Sequence, residues 1–525
     1  MPRLGYAYAT LKAAMHTFGK KTLSLGYILA LDLGTTGNRA FVFNADGKIV
    51  GQAYKELTQY YPQPGWLEHD PQQIWQDTCW VMKTAIANAQ IIPSAIAALG
   101  LTVQRETCLI WDKTTGKPLH KAIVWQDRRT APLCHQLQEQ GYADEIYDRT
   151  GLIIDAYFSA TKLRWLLDNV TDVDLNNVLA GTIDTWVLWN ITGGKVHATD
   201  HSNASRTMLM NLKTCEWDET LLDLFQIPAH ILPQIQPSLG VFGVTDATLL
   251  GAEIPITAIL GDQQAALFGH GCDRPGLMKC TYGTGSFLVA HTGSEIVRSL
   301  RGATPTHHQL ISTVAWTQAN TSDTLDVGYA LEGSMFTSGA CIQWLRDRLK
   351  LIKTAAETEA MANQVKDNGG VYFVPAFSGL GAPYWDMSAR GAFFGITASV
   401  QPEHLVRAVL EAIAYQVLEV VQAINASSST LVGRLTVDGG ACENNFLMQF
   451  QADVLGIPVE RPIMRDTTVQ GAAFAAGLAV GFWQSYESLA KQRQIERVFE
   501  PKSDFSLSKF GTWQKAVKRT LAWEE

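Results

Sequence analysis

Residues 28–43, ILALDLGTTGNRAFVF, decide how the rest of this chain is read. An apolar, β-prone run from Ile28 to Leu31 ends in Asp32. The turn residues Gly34, Thr35, Thr36 and Gly37 follow, then Arg39 and a second β-prone run from Ala40 to Phe43. Glycines let backbone N–H groups approach an anion closely, and threonine hydroxyls add donors. A carboxylate just ahead of such a turn is placed to hold Mg²⁺, directly or through water. Asp-x-Gly-Thr-Thr on a strand–turn–strand therefore reads as a phosphate–metal loop, against the plainer reading of an ordinary hairpin turn. The chain has no G-x-x-x-x-G-K-[ST], no strand–G-x-G-x-x-G–helix and no protein-kinase signature set. A nucleotide bound here would be gripped by a hairpin.

Moving outward, several apolar runs each finish in a burst of polar residues. Ile96 to Val103 runs into Gln104, Arg105, Glu106 and Thr107; Ala122 to Val124 runs into Trp125, Gln126, Asp127 and Arg128. Ile256 to Leu260 runs into Gly261, Asp262, Gln263 and Gln264, and Leu435 to Val437 into Asp438, Gly439 and Gly440. In open α/β sheets ligands bind beyond the carboxyl ends of the strands, so the four bursts are expected to converge on one cleft. A fainter echo of the opening hairpin lies in Cys280 to Ala290, another β-prone run around Gly283-Thr284-Gly285. Two α/β halves are expected, each with a hairpin loop, with the boundary near Gly269 to Pro275.

Pro71 opens a helix through Trp75, Val81 and Ile86. Leu405, Val406, Val409, Leu410, Ile413, Val417 and Val420 keep helical spacing, which predicts a helix burying one face. Gly471 to Gly481, rich in glycine and alanine, predicts a helix that packs closely on another. The residues from Phe499 onward read as a peripheral tail. Residues 1–26 hold Arg3, Lys12, Lys20 and Lys21 and no acidic residue. They read as a disordered basic leader outside the fold, with an organelle-targeting segment as the alternative.

Composition narrows the function classes. The 525 residues are 46% hydrophobic and 18% charged, as in ordinary globular proteins. A net charge of −8 argues against nucleic acid or anionic membrane as the main partner. No apolar run approaches the roughly 20 residues of a membrane span. The eight cysteines are scattered without a C-x-x-C pair, which favours buried free thiols in a reducing, cytoplasmic compartment. His307-His308 reads as surface loop rather than a metal site.

Longer patterns then point to a family. The segment from Tyr157 through Lys162 and Trp165 to Asn169 resembles one signature of the FGGY carbohydrate kinases. Gly391, Phe393, Gly395 and Ile396, running on to His404-Leu405 and Glu411, resemble the other. Within that family, Gln104 to Thr107, Gly261 to Gly269, Asn203 to Met208 and Ala516 to Glu525 are similar to the members that act on glycerol. The resemblance covers roughly residues 27–524. It implies two actin/hexokinase-like (ribonuclease H-like) α/β domains facing each other across a catalytic cleft. The N-terminal domain would span 27–271, with the acceptor site and phosphate loop; the C-terminal domain, 272–525, would carry the nucleotide site. The implied reaction is ATP-dependent phosphorylation of glycerol to sn-glycerol 3-phosphate, with Mg²⁺, in a homo-oligomeric (dimeric or tetrameric) enzyme.

Residue roles follow from the same resemblance. Asp262 would be the general base and would also contact glycerol. Arg105, Glu106, Tyr157 and Gln263 would hydrogen-bond the acceptor, with Trp125 and Phe287 packed on its carbon chain. Asp32 would hold Mg²⁺. Thr35, Thr36, Gly37, Arg39, Thr284, Gly339, Gln343, Gly440 and Asn444 would line the nucleotide. Domain closure would keep ATP from water.

Some positions depart from the family. Gly251-Ala252-Glu253 replaces the Gly-Thr-Arg of relatives inhibited by fructose 1,6-bisphosphate, so no such inhibition is expected. The loop Gly240 to Gly243 lacks the histidine of relatives activated by phosphorylation. Leu33 and Gly37 stand where relatives often carry Gln and Ser. The competing readings are a kinase for another small polyol or pentulose, and an actin-like ATPase without an alcohol acceptor. The Arg105–Glu106 pair argues against the first, and a hydroxyl-lined pocket with Asp262 against the second.

Overall fold

The computed structural model describes residues 26–171, 174–301, 309–320, 324–491, 493–502 and 507–524. The expected leader, apart from Gly26, and the His307-His308 pair lie outside the described residues. The chain divides into two compact units. The first runs to Gly271 and adds Thr313–Tyr329 and Thr467–Gln492; the second comprises Cys272–Ser312, Ala330–Asp466 and Arg493–Glu525.

The first unit is built on a mixed sheet. In spatial order its strands are Ile311–Ala319, Leu239–Val244, Pro255–Gly261, Ile96–Val103, Tyr27–Leu33, Gly37–Asn44 and Ile49–Glu56. The opening hairpin pairs Leu33 with Asn38 and Asp32 with Arg39. Its first strand lies parallel to Ile96–Val103, which lies parallel to Pro255–Gly261. Every residue of Ile96–Val103 is buried, as expected of a parallel strand covered on both faces. Register matters most here. Leu33 and Gly261 both align with Val103, so the three strands end at one level, and Gly34, Gln104 and Asp262 emerge together.

Helices fix the layers. Asp70 caps the Pro71–Asn88 helix through Gln72 N–H (2.9 Å), and Pro71 occupies its first turn. The Thr467–Ala479 helix crosses the Asp262–Gly269 helix at glycines, the close packing its small residues predict. A Cβ at Gly471 would sit 1.8 Å from the Ala265 carbonyl oxygen, and one at Gly269 2.2 Å from that of Thr467. Gly471→Ala is therefore expected to force apart the helix that begins at Asp262. Overpacking of this kind costs about 1–3 kcal/mol or more. The melting temperature and kcat should both fall, whereas Gly511→Ala, where the added Cβ meets nothing within 4 Å, should leave both intact.

The second unit repeats the hairpin plan. Its strands run in the order Ile495–Phe499, Val459–Pro462, Arg434–Asp438, Leu277–Tyr282, Ser286–Gly293 and Leu325–Met335. Leu277–Tyr282 and Ser286–Gly293 form an antiparallel hairpin, and the first of them lies parallel to Arg434–Asp438. The echo of the opening hairpin is thus one of architecture as well as of sequence.

Two expectations are corrected in this unit. The Pro402–Ser427 helix does not bury one face: residues 408–421 are buried without interruption. Periodicity marked its most apolar stripe, but the alanines between, with Glu411, Gln416 and Glu419, are covered too. The segment after Phe499 is not merely peripheral. Its Ser508–Lys518 helix buries Phe510 and Trp513, with Trp513 donating through Nε1 to the Phe373 carbonyl (3.0 Å) and lying beside Tyr415.

All eight cysteines are free, and all but Cys79 are buried. Among the described residues no helix is long and apolar enough to cross a membrane.

Candidate active site

Two of the four polar bursts, after Val103 and after Leu260, emerge at the aligned strand ends of the first unit. A third, after Val124, follows a strand of a separate four-stranded sheet and reaches them through Trp125, and the fourth, after Val437, belongs to the second unit. Arg105 is the centre. Its Nε lies 3.2 Å from Asp262 Oδ1 and 3.8 Å from Glu106 Oε1. Its Nη2 donates to the Tyr157 hydroxyl and its Nη1 to Gln264 Oε1, both at 3.3 Å. The Arg105 and Glu106 side chains are each 2% exposed, while Asp262 keeps 28% of its side chain open to solvent. Asp262 is the first residue of the Asp262–Gly269 helix, and its Oδ1 also accepts the Gln263 N–H (2.7 Å). A second buried guanidinium completes the group: Arg206 Nε donates to Glu106 Oε1 at 2.7 Å. Two carboxylates and two guanidiniums thus lie side by side, so that each charge faces an opposite one.

Glu106 holds an unusual backbone. Its φ is +59°, in the left-handed region where a side chain other than glycine's is disfavoured. Its carbonyl accepts the Ser159 hydroxyl (3.0 Å). Strain held in this way is common where a side chain must be aimed at a ligand.

Trp125 joins Tyr157 to the turn at Gly34–Gly37. Its ring meets that of Tyr157 edge-on at 5.5 Å, and its Nε1 donates to Thr35 Oγ1 at 2.9 Å. Behind this contact runs a chain of polar groups. Gln59 Nε2 donates to the Thr35 carbonyl (2.9 Å), and Gln59 Oε1 faces His69 Nε2 (2.9 Å). His69 Nδ1 faces Gln104 Nε2 (3.3 Å), the Thr107 hydroxyl donates to Gln104 Oε1 (3.1 Å), and Trp125 N–H donates to that hydroxyl (3.2 Å). One set of protons satisfies all of these: a neutral imidazole with its hydrogen on Nε2. Burial pushes the His69 pKa down to about 4, so the neutral form persists through the physiological range. Sequence reasoning missed Gln59 and His69, because nothing in their spacing sets them apart from loop residues.

The remaining loop residues sit around the turn. Asp32 is partly exposed opposite Arg39, and the Arg39 guanidinium lies 5.6 Å from the centre of the Tyr54 ring. Gly34 N–H donates to the Gly37 carbonyl, closing the turn, and Thr36 is exposed. A Cβ on Gly37 would lie 2.5 Å from the Tyr54 ring and 2.6 Å from the Lys55 carbonyl, so serine there requires Tyr54 and the strand to shift. Among the described residues no group of three or more His, Cys, Asp or Glu could hold a metal. A hydrated magnesium ion, which needs only one or two carboxylates beside water and phosphate oxygens, is compatible with the partly exposed Asp32 at this turn.

Phe287 and the second-domain nucleotide candidates belong to the second unit. There Gly339 N–H donates to the Gly283 carbonyl (3.0 Å), and the Ser338 and Ala340 N–H groups to that of Thr284 (2.9 and 3.1 Å). Thr284 and Gly339 are thereby brought together at the start of the Gly339–Asp347 helix, on which Gln343 is exposed. Gly439, at φ +83°, lies where a Cβ would be 2.5 Å from the Tyr282 carbonyl; Gly440 beside it is exposed. The Asn444 side chain accepts the Leu447 N–H (2.9 Å) as the cap of Asn445–Leu455 and donates to Thr358 Oγ1 (3.0 Å).

A glycerol kinase of Trichormus variabilis is 82% identical over 505 residues, covering 96% of this chain and 100% of the relative. A glycerol kinase of a Nostoc species is 82% identical over 502 residues, covering 95% and 99%. The crystal structure of Plasmodium falciparum glycerol kinase with ADP superposes with a TM-score of 0.86 at 36% identity, covering 95% of this chain and 98% of that one. A ligand-bound xylulose kinase from Lactobacillus acidophilus, at 22% identity and a TM-score of 0.81, shares the fold. Residues 27–269 match the N-terminal domain of the FGGY family of carbohydrate kinases and residues 278–480 its C-terminal domain, and the chain belongs to that family.

Proposed function

We infer that this chain catalyses the ATP-dependent phosphorylation of glycerol to sn-glycerol 3-phosphate. One observation carries the reading: Arg105, Glu106, Tyr157 and Asp262 form a single, mostly buried cluster of hydrogen-bonding groups around Arg105 in the first unit, suited to bind hydroxyls. A site built to bond hydroxyls rejects analogues that leave its buried polar groups unpaired. The 82% identity to relatives named glycerol kinase supports the same conclusion.

In this mechanism Arg105, Glu106, Tyr157 and Gln263 hold the glycerol hydroxyls, while Trp125 and Phe287 pack on its carbons. Asp262, the group of this set most open to solvent, accepts the proton of the attacking primary hydroxyl. The hydroxyl oxygen bonds to the γ-phosphorus as the bond to the β–γ bridging oxygen breaks, and that electron pair leaves with ADP. Thr35, Thr36, the Gly37 N–H and Arg39 receive the phosphates, and Thr284, Gly339, Gln343, Gly440 and Asn444 line the rest of the nucleotide. Asp32 would hold a magnesium ion, which would supply positive charge to offset that of the phosphate oxygens. Most of the acceleration comes from in-line positioning and charge neutralisation.

The test is ADP release by the purified protein with Mg²⁺-ATP and glycerol, xylulose, ribulose, gluconate or no acceptor. Turnover with glycerol alone is expected. Preference for a pentulose or gluconate would overturn the substrate, and equal turnover without acceptor would overturn the reaction class.

A further inference from the structure

We propose that Arg206 is the positioning residue of the acceptor site, fixing Glu106 in the orientation in which it binds an acceptor hydroxyl. The proposal rests on the reading of Glu106 as a glycerol ligand and adds the residue through which that ligand is held.

The geometry leaves Glu106 dependent on outside support. Its φ of +59° is disfavoured, so the neighbourhood rather than the local chain must hold the side chain in place. Arg105, the adjacent cation, is shared between two carboxylates: its Nε lies 3.8 Å from Glu106 Oε1 and 3.2 Å from Asp262 Oδ1. Arg206 Nε donates to the same Oε1 at 2.7 Å, from a side chain with no exposure. A charge-assisted bond of this length in a buried place is strong and directional.

Arg206 is in turn rigidly mounted. Its guanidinium lies 5.6 Å from the centre of the Tyr157 ring and 5.4 Å from that of Phe158, so it also backs the acceptor-site tyrosine. Its N–H donates to the Asn203 carbonyl at the end of the short His201–Ala204 helix. That helix is capped by buried Asp200, which accepts the Ser202 and Asn203 N–H groups (2.8 and 3.0 Å) and the Ser238 hydroxyl (2.7 Å). Ser202 Oγ accepts the N–H of Gly261, the residue before Asp262, at 2.9 Å. One small turn therefore sets the carboxylate of Glu106 through Arg206 and the backbone entering Asp262 through Ser202. Glycerol is small, and a binding carboxylate displaced by a fraction of an ångström loses its bond to it. Arg206 thus governs glycerol affinity without touching glycerol.

Steady-state kinetics of Arg206→Met, Arg206→Lys, Glu106→Gln and the Arg206→Met/Glu106→Gln double variant test this, each scaled to folded protein by thermal melting. Glu106→Gln and Arg206→Met are each expected to raise the glycerol KM by about 10- to 100-fold and to leave the ATP KM within about twofold. The double variant should be no worse than the poorer single one, because both act on the same bond. Arg206→Lys, which keeps the charge but not the fixed fork, should recover part of the loss. A glycerol KM unchanged in both Arg206 variants, beside a raised one in Glu106→Gln, would overturn the role of Arg206 alone. Equal losses for glycerol and ATP, or additive losses in the double variant, would reduce Arg206 to general structure and also overturn it. An unchanged KM in Glu106→Gln would overturn the underlying reading of Glu106. Should Arg206→Met not fold, the same split read in Arg206→Lys decides.

Discussion

Asp262→Asn is expected to lower kcat for glycerol phosphorylation by about 10²–10⁴-fold, the range of a positioned general base. A primary alcohol holds its proton far too tightly to release it unaided at neutral pH, so a base must take it as the new bond to phosphorus forms. Asp262 has the position for this: it follows a parallel strand, opens a helix, and keeps 28% of its side chain exposed while Arg105 beside it is nearly sealed. Asparagine keeps an oxygen for the Arg105 Nε and Gln263 N–H bonds and changes little in volume. Folding and glycerol KM should therefore be nearly preserved, and the loss should fall on kcat. The check is a kcat and KM measurement at saturating Mg²⁺-ATP, with a melting curve to confirm the fold. A fall of less than about tenfold would place the base elsewhere.

How much of this site was legible in the sequence depended on whether the relevant physics was local. Strand ends followed by polar bursts are a local pattern, and the register of Leu33, Val103 and Gly261 made Gly34, Gln104 and Asp262 neighbours as that pattern implied. The small-residue run around Gly471 was readable for the same reason, since only close packing asks for so few side-chain atoms. The supports of the site were not readable. Arg206 lies 100 residues from Glu106, and His69 is 35 residues from Gln104. Arg206 and Lys162 fall inside segments whose family resemblance was evident, so membership was visible while role was not. The helix of residues 402–427 failed differently: periodicity marks its most apolar stripe but is blind to neighbours that cover the other faces.

Lys162→Met is expected to be the most damaging substitution for folding among those considered, on the order of 3–5 kcal/mol. The Lys162 side chain is fully buried, and its ammonium donates to three consecutive carbonyls: Ala156 (2.9 Å), Tyr157 (2.6 Å) and Phe158 (2.7 Å). Three protons meet three acceptors, which only the charged form supplies. Burial pulls the Lys162 pKa down, opposed by the negative field of surrounding groups that include Glu106, Asp127 and Asp155. Methionine fills much of the space but leaves these carbonyls, on residues themselves at most 2% exposed, without this donor. Each such loss costs about 1–3 kcal/mol before relaxation, against a folding free energy of about 5–15 kcal/mol. Arginine does not repair it, because a planar fork cannot fan three donors around one point. The same three carbonyls form the turn that presents Tyr157 to Arg105, so loss of the ammonium also loosens the acceptor site. Calorimetry should show a melting temperature lower by roughly 5 °C, and protein that remains folded should bind glycerol more weakly. A melting temperature within about 2 °C of the parent would mean that the three bonds contribute little net stability, and that the turn is held by the packing of Tyr157 and Phe158 instead.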